Sequence, residues 1–156
     1  MYEKILVPLD GSKGGEAALP AIEELVVGLS PNKKVEVTLF QSITQLSYWV
    51  LAGEASARVP YTESELEQLK QKSMEYLDKV GGALTSKGAT VKTRVSFGDA
   101  TNEILKAIEE TNADLVAMST HGRSGLRQWA FGSVTTKILR AATVPILTVR
   151  APKEEA

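Results

Sequence analysis

A chain of 156 residues that is 43% hydrophobic and 24% charged has the size and composition of one globular domain with its own core. Eighteen Lys and Arg against nineteen Asp and Glu leave a net charge of −1, which argues against a nucleic-acid or anionic-membrane partner. Cysteine is absent and histidine occurs once, so disulfides, thiolate metal sites and any site needing two imidazoles are excluded.

The chain opens on Met1-Tyr2-Glu3-Lys4-Ile5-Leu6-Val7-Pro8, which has neither a long apolar core nor a small-residue cleavage site. It reads as a first strand, Lys4–Leu9, rather than a signal peptide. No apolar run nears the roughly 18 residues of a membrane span, so the expected address is cytoplasmic. Ser12 is a candidate N-cap for a helix running to about Val27, with Pro20 a candidate bend. A second strand is expected over Lys34–Phe40. Ser42–Tyr61 reads as one long irregular connection, of a length that often carries function. Its Tyr48-Trp49-Val50-Leu51 is too apolar for a solvated tail. The plain expectation is a loop anchored by its aromatics; the alternative is a short helix over the site or against a partner.

From Ser64 to about Leu84 a helical stripe of Leu66, Leu69, Leu77, Val80 and Leu84 faces a core, interrupted by Ser73. Thr90–Ser96 is the third strand. Gly98-Asp99-Ala100 opens a helix that Asp99 can cap, with Lys106 toward its C-terminal half in keeping with the dipole. Asp114–Met118 is the fourth strand, Val134–Arg140 the last helix and Val144–Val149 the fifth strand. These runs are rich in Ile, Leu and Val with little strict alternation, as in strands covered on both faces. Alternating strands and helices predict an α/β fold: a single open, mostly parallel five-stranded sheet with helices on both faces, Rossmann-like. The expected domain is 1–150, followed by a polar tail, 151–156.

The chemistry concentrates after the fourth strand, in Met118-Ser119-Thr120-His121-Gly122-Arg123-Ser124-Gly125, continuing to Gly132-Ser133-Val134. Glycines let backbone N–H groups approach a ligand, and a helix start adds unpaired donors and a positive dipole end. Arg123 and Arg127 lie between Ser119 and Ser133, where Asp and Glu are absent, so the segment suits phosphate. The plainer reading is a β–α loop with Ser133 as helix cap. Neither the Walker pattern nor Gly-x-Gly-x2-Gly is present. Pro8-Leu9-Asp10-Gly11-Ser12 follows the first strand and belongs at the same carboxyl edge, where open parallel sheets bind ligands. Asp10 suits ribose hydroxyls or a phosphate-bound divalent ion, and equally a helix-capping turn. His121 has no identified nucleophile and is given no catalytic role.

The chain resembles the universal stress protein family from Met1 to about Arg150. The resemblance rests on Lys-Ile-Leu-Val-Pro-Leu-Asp-Gly-Ser at 4–12, Ala-Asp-Leu-Val-Ala-Met-Ser-Thr-His-Gly-Arg-Ser-Gly at 113–125, Gly-Ser-Val at 132–134 and Pro145-Ile146-Leu147-Thr148-Val149. ATP-binding members carry Gly-x2-Gly-x9-Gly-Ser/Thr. Here Gly122, Gly132 and Ser133 match it, while Ser119 stands at the first glycine, with a Cβ that restricts approach. The resemblance implies the adenine-nucleotide α-hydrolase-like variant of the fold. It implies that Pro8, Leu9 and Asp10 border adenine and ribose, that Ser42 and Met118 close the base pocket, and that Ser119, Gly122, Gly132, Ser133 and Val134 hold ribose and phosphates. Arg123 and Arg127 join on electrostatic grounds. No catalytic or protein-held metal residue is assigned.

The leading expectation is a stress-response regulatory protein that binds ATP, with Mg2+, and acts as a nucleotide-responsive homodimer through its C-terminal strand. Hydrolysis is expected to be slow at most, since no arginine finger or water-positioning residue is assigned. The alternative is an interaction module that binds no nucleotide. An adenylating enzyme fits less well, because Asp10-Gly11-Ser12-Lys13-Gly14-Gly15 departs from the Ser-Gly-Gly-x-Asp-Ser of that class.

Overall fold

A computed structural model describes residues 2–29, 31–120 and 132–152. In chain order these form β1 (Lys4–Pro8), a 3-10 turn (Gly14–Ala18), α1 (Leu19–Leu29), β2 (Glu36–Ile43), β3 (Ser47–Ala52), β4 (Ala55–Pro60) and α2 (Glu63–Ser86). There follow β5 (Thr90–Phe97), α3 (Ala100–Thr111), β6 (Leu115–Ser119), α4 (Ser133–Ala141) and β7 (Ile146–Val149). Five strands make one sheet in the order β5-β2-β1-β6-β7, every neighbouring pair parallel. This is the expected α/β fold.

Consecutive apolar residues are needed because both faces of the sheet are covered. Ile5, Val7, Val37 and Leu39 pack with Ile22 and Val26 of α1 and Leu77 and Leu84 of α2. Leu6, Phe40, Val116 and Met118 pack on the other face with Ile104 and Ile108 of α3 and Ile138 of α4. The caps are local. Thr62 and Glu65 form a reciprocal capping box at α2, and Asp99 accepts from Asn102 N at 3.0 Å at α3.

Strand order reverses direction at β1. The chain moves from β1 through β2 to β5, then returns to the opposite side of β1 for β6 and β7. β1 and β6 are pinned at their amino ends, where Asp114 Oδ2 accepts from Glu3 N at 2.9 Å. Their ladder runs only from Ile5–Leu115 to Leu6–Val116, whereas the β1–β2 ladder continues to Pro8–Phe40. The carboxyl ends of β1 and β6 therefore flank a crevice at the switch point, where open α/β sheets take ligands.

Two expectations change. Residues 42–61 are neither a plain loop nor a short helix: β2 runs on to Ile43, and β3 and β4 form an antiparallel hairpin paired from Ser47–Pro60 to Ala52–Ala55. Gly53 has φ 66, and Glu54 is not among the non-glycine residues with positive φ, which suits a two-residue type II′ turn. The first helix starts later than expected. Ser12 caps no α-helix: its Oγ accepts from Gly15 N at 3.0 Å at the entry to a 3-10 turn whose N-cap is Lys13, and α1 begins only at Leu19. Pro20 is the second residue of α1, in the first turn, where proline is tolerated.

Candidate nucleotide cleft

A cleft of about 710 Å3 opens at the carboxyl edge of the sheet. Pro8, Leu9, Asp10 and Gly11 reach it from the end of β1, and Phe40 to Gln45 from the end of β2. Met118 and Ser119 of β6, Gly132 to Thr135 at α4, and Ala100 and Ile104 of α3 close one side; Tyr61 with Leu69, Lys72, Ser73 and Tyr76 of α2 closes the other. Nine expected site residues thus share one cavity: Pro8, Leu9, Asp10, Ser42, Met118, Ser119, Gly132, Ser133 and Val134. Gly122, Arg123, Arg127 and His121 lie outside the described residues.

Asp10 serves the turn and lines the cleft at once. Its Oδ1 accepts from Ser12 N at 2.9 Å and Ser12 Oγ at 2.5 Å. The following loop comes so close that a Cβ on Gly15 would lie 2.4 Å from the same oxygen. Gly11, at φ 85, makes the sharp exit from β1 that aims Asp10 at the cleft.

Ser119 is buried, and its hydroxyl donates to the Gly14 carbonyl at 2.6 Å. The side chain that replaces the motif's first glycine thereby ties the end of β6 to the loop after β1. Ser42 behaves similarly: its Oγ donates to the Gly98 carbonyl at 2.9 Å and joins the end of β2 to the entry of α3.

Gly132 N donates to the Thr120 carbonyl at 2.6 Å, so the residues bracketing 121–131 are joined directly. Gly132 has φ −70 and ψ 167, ordinary extended backbone, so freedom of φ is not what glycine supplies here. Close approach is: a Cβ would lie 3.2 Å from the Thr120 carbonyl oxygen. Gly132, not Ser133, is the N-cap of α4, and among the described residues no side-chain hydrogen bond caps that helix. Its first-turn N–H groups are left beside Ser133, Val134 and Thr135 on the cleft wall, a suitable place for an anion. Thr135 Oγ1 donates to the Ser119 carbonyl at 3.1 Å and fixes α4 against β6.

The sequence reading missed the α2 wall. Gln41, Tyr61, Lys72, Ser73 and Tyr76 line it. Two carried a signal: Ser73 breaks an apolar stripe, and Gln41 follows the buried run Val37–Phe40. Among the described residues no three His, Cys, Asp or Glu converge as a metal site.

The model of the universal stress protein family matches residues 1–150. Universal stress protein MJ0531 of Methanocaldococcus jannaschii is 31% identical over 159 aligned positions, covering 99% of this chain and 86% of that protein. Among solved structures, that of MJ0577, which is from the same organism, superposes with a TM-score of 0.72 at 23% identity and covers 99% of both chains. An Arabidopsis thaliana universal stress protein family member with AMP bound superposes with a TM-score of 0.63 at 15% identity, covering 98% of this chain and 94% of that one. Other universal stress proteins of this fold are complexes with cAMP and with dAMP. The chain belongs to the universal stress protein family.

Proposed function

We propose that the protein is an ATP-binding regulatory protein of the stress response, acting as a nucleotide-responsive homodimer in the cytoplasm. The observation that carries this reading is the approach of Gly132 to Thr120 beside an uncapped helix start, within a cleft at the sheet's switch point. Phosphates sit against the first turn of α4, ribose beside Asp10, and the base beyond it toward Ser42 and Met118. The adenine nucleotides bound by related proteins support the class of ligand.

The cleft fits such a group: a wall that a Cβ would crowd faces apolar residues (Pro8, Leu9, Phe40, Ile104 and Met118) suited to a base. A magnesium ion would be held by the phosphates, with Asp10 the carboxylate of the cleft able to assist. No residue is assigned to drive hydrolysis, and turnover is expected to be slow.

Calorimetric titration with magnesium and ATP tests the reading, with GTP as the weaker comparison. At a hundredfold excess over Kd, ATP should stabilise the fold by about 2.7 kcal/mol. Neither heat nor a thermal shift at millimolar ATP would favour the interaction module that binds no nucleotide.

A further inference from the structure

The β3–β4 hairpin has no part in the nucleotide reading above. Two strands alone are marginal in water, and this pair packs extensively against no other element among the described residues. It is apolar on both faces: Tyr48, Val50 and Val59 lie on one, Trp49 and Leu51 on the other. Trp49 and Leu51 are the most exposed of the large hydrophobic residues described. An element held so weakly sits near its own folding balance, so a small added contact decides whether it is ordered.

Its two feet are walls of the cleft. Thr44 and Gln45 lead into it, Tyr61 leads out, and all three line the cavity. Gln45 Nε2 donates to the Ser47 carbonyl at 3.2 Å, and Ser47 Oγ accepts from Arg58 Nε across the strands. The Tyr61 N–H donates to the Leu46 carbonyl, which extends the ladder one step past Ser47–Pro60. The Tyr61 ring meets that of Tyr48, which is not part of the cleft wall. The next residue, Thr62, is fixed by the capping box of α2. Tyr61 thus joins the cleft, the start of α2 and the marginal hairpin. We propose that the hairpin is a ligand-coupled arm: a nucleotide filling the cleft packs against Tyr61 and Gln45 as they stand when the hairpin is formed, and so orders residues 47–60. Such coupling needs a difference in affinity between the two hairpin states. With the ladder undone, neither the Leu46 bond nor the Tyr48 ring fixes Tyr61, and the ligand must order that residue itself. Occupancy of the cleft is thereby converted into order of a surface bearing Trp49 and Leu51. This inference rests on the nucleotide reading above.

The test uses reciprocity: if the ligand favours the formed hairpin, the formed hairpin must favour the ligand by the same factor. Saturating magnesium and ATP should slow amide exchange of residues 47–60 in the parent by about tenfold, at the modest end of coupling between sites. Bonded pairs alternate along an antiparallel ladder, so the bond between Tyr61 and Leu46 makes Val50–Ala57 a bonded pair as well. Val50→Pro removes a donor from that pair, outside the cleft wall, and should open the hairpin. The variant should melt close to the parent, because the hairpin is separate from the five-stranded sheet. Its Kd for ATP should rise by the same factor of about ten, whereas Val50→Thr, which keeps the ladder, should bind as the parent does. ATP that binds without slowing exchange in 47–60 would overturn the proposal. So would parental affinity in Val50→Pro once its hairpin amides exchange freely. If the parent binds no ATP, the nucleotide reading fails and the arm falls with it; ATP binding to which the hairpin is indifferent sinks the arm alone.

Discussion

At the residue scale, Gly132 and Ser119 stand in the same motif but do opposite things. Gly132 leaves space, and Gly132→Val fills it with a Cβ 3.2 Å from the Thr120 carbonyl. The variant should fold, losing about 1–3 kcal/mol to crowding. Its Kd for ATP should rise by more than about tenfold, since even one charge-assisted hydrogen bond from the displaced turn is worth that much. Titration of the purified variant decides; parental affinity would remove Gly132 from the phosphate cradle. Ser119 instead fills space and joins two loops. Ser119→Gly should destabilise by about 1–2 kcal/mol in urea, through the lost bond to Gly14 and the added backbone freedom of a glycine at the end of β6. Its ATP affinity should stay within about threefold of the parent, because the hydroxyl is turned to Gly14 and not across the ligand's path. Much tighter binding would show that the Cβ, not the hydroxyl, had been limiting. These residues were legible because a glycine before a helix and an Asp-Gly turn are local signals. Gln41 and Ser73 gave weaker signals, since their meaning depends on α2 lying over the end of β2, some thirty residues apart in sequence.

At the element scale, the sheet could be read from sequence because its strands are buried on both faces and so are continuously apolar. The boundaries drifted where backbone pairing outlasts apolar side chains. β2 was expected to stop at Phe40, yet Gln41, Ser42 and Ile43 continue the ladder with Val95, Ser96 and Phe97 of β5. The hairpin escaped for a similar reason: only β3 is rich in strand formers, while β4 is Ala-Ser-Ala-Arg-Val-Pro. Two strands alone are marginal in water, so the hairpin depends on its attachment. Tyr61 closes its base, donating its N–H to the Leu46 carbonyl at 3.0 Å and setting its ring 5.1 Å from that of Tyr48, while also lining the cleft. Tyr61→Ala should remove about 0.5–1.5 kcal/mol of ring packing. Amides of 47–60 should then exchange faster while β1 and β2 keep their protection. Unchanged exchange in the hairpin would mean that the ring pair does not hold it. Trp49→Ser with Leu51→Ser should shift stability by less than about 0.5 kcal/mol, since those side chains are 65% and 79% exposed.

At the scale of the whole molecule, the proposed dimer depends on one edge of the sheet. Among the described residues β7 pairs with β6 alone, and the hairpin, which might have covered it by strand pairing, pairs only with itself. A free edge offers unpaired N–H and C=O groups, and two copies meeting antiparallel about a two-fold axis would satisfy each other's. β7 is only four residues long, too short to supply the roughly 1,200–2,000 Å2 of a stable interface. The neighbouring surface must contribute, and it has the means: Leu147 of β7 is 36% exposed and Leu139 of α4 is 40% exposed. Ile146 packs against the core on the α3–α4 face, so a charge there tests folding rather than association. Leu147→Lys is the cleaner variant, because it places like charges on the two-fold axis while leaving that core intact. Light scattering at tens of micromolar should give twice the 16.8 kDa chain mass for the parent and the single-chain mass for Leu147→Lys, with melting curves of both showing a folded domain. Leu139→Lys should weaken the dimer as well. A parent of 16.8 kDa would refute the dimer, and a folded, dimeric Leu147→Lys would move the interface to another surface. ATP added to the parent should shift the monomer–dimer midpoint, because α4 carries Leu139 on its outer side and begins at the turn assigned to the phosphates. A midpoint unmoved by saturating ATP would separate binding from assembly and leave the nucleotide acting through some other surface.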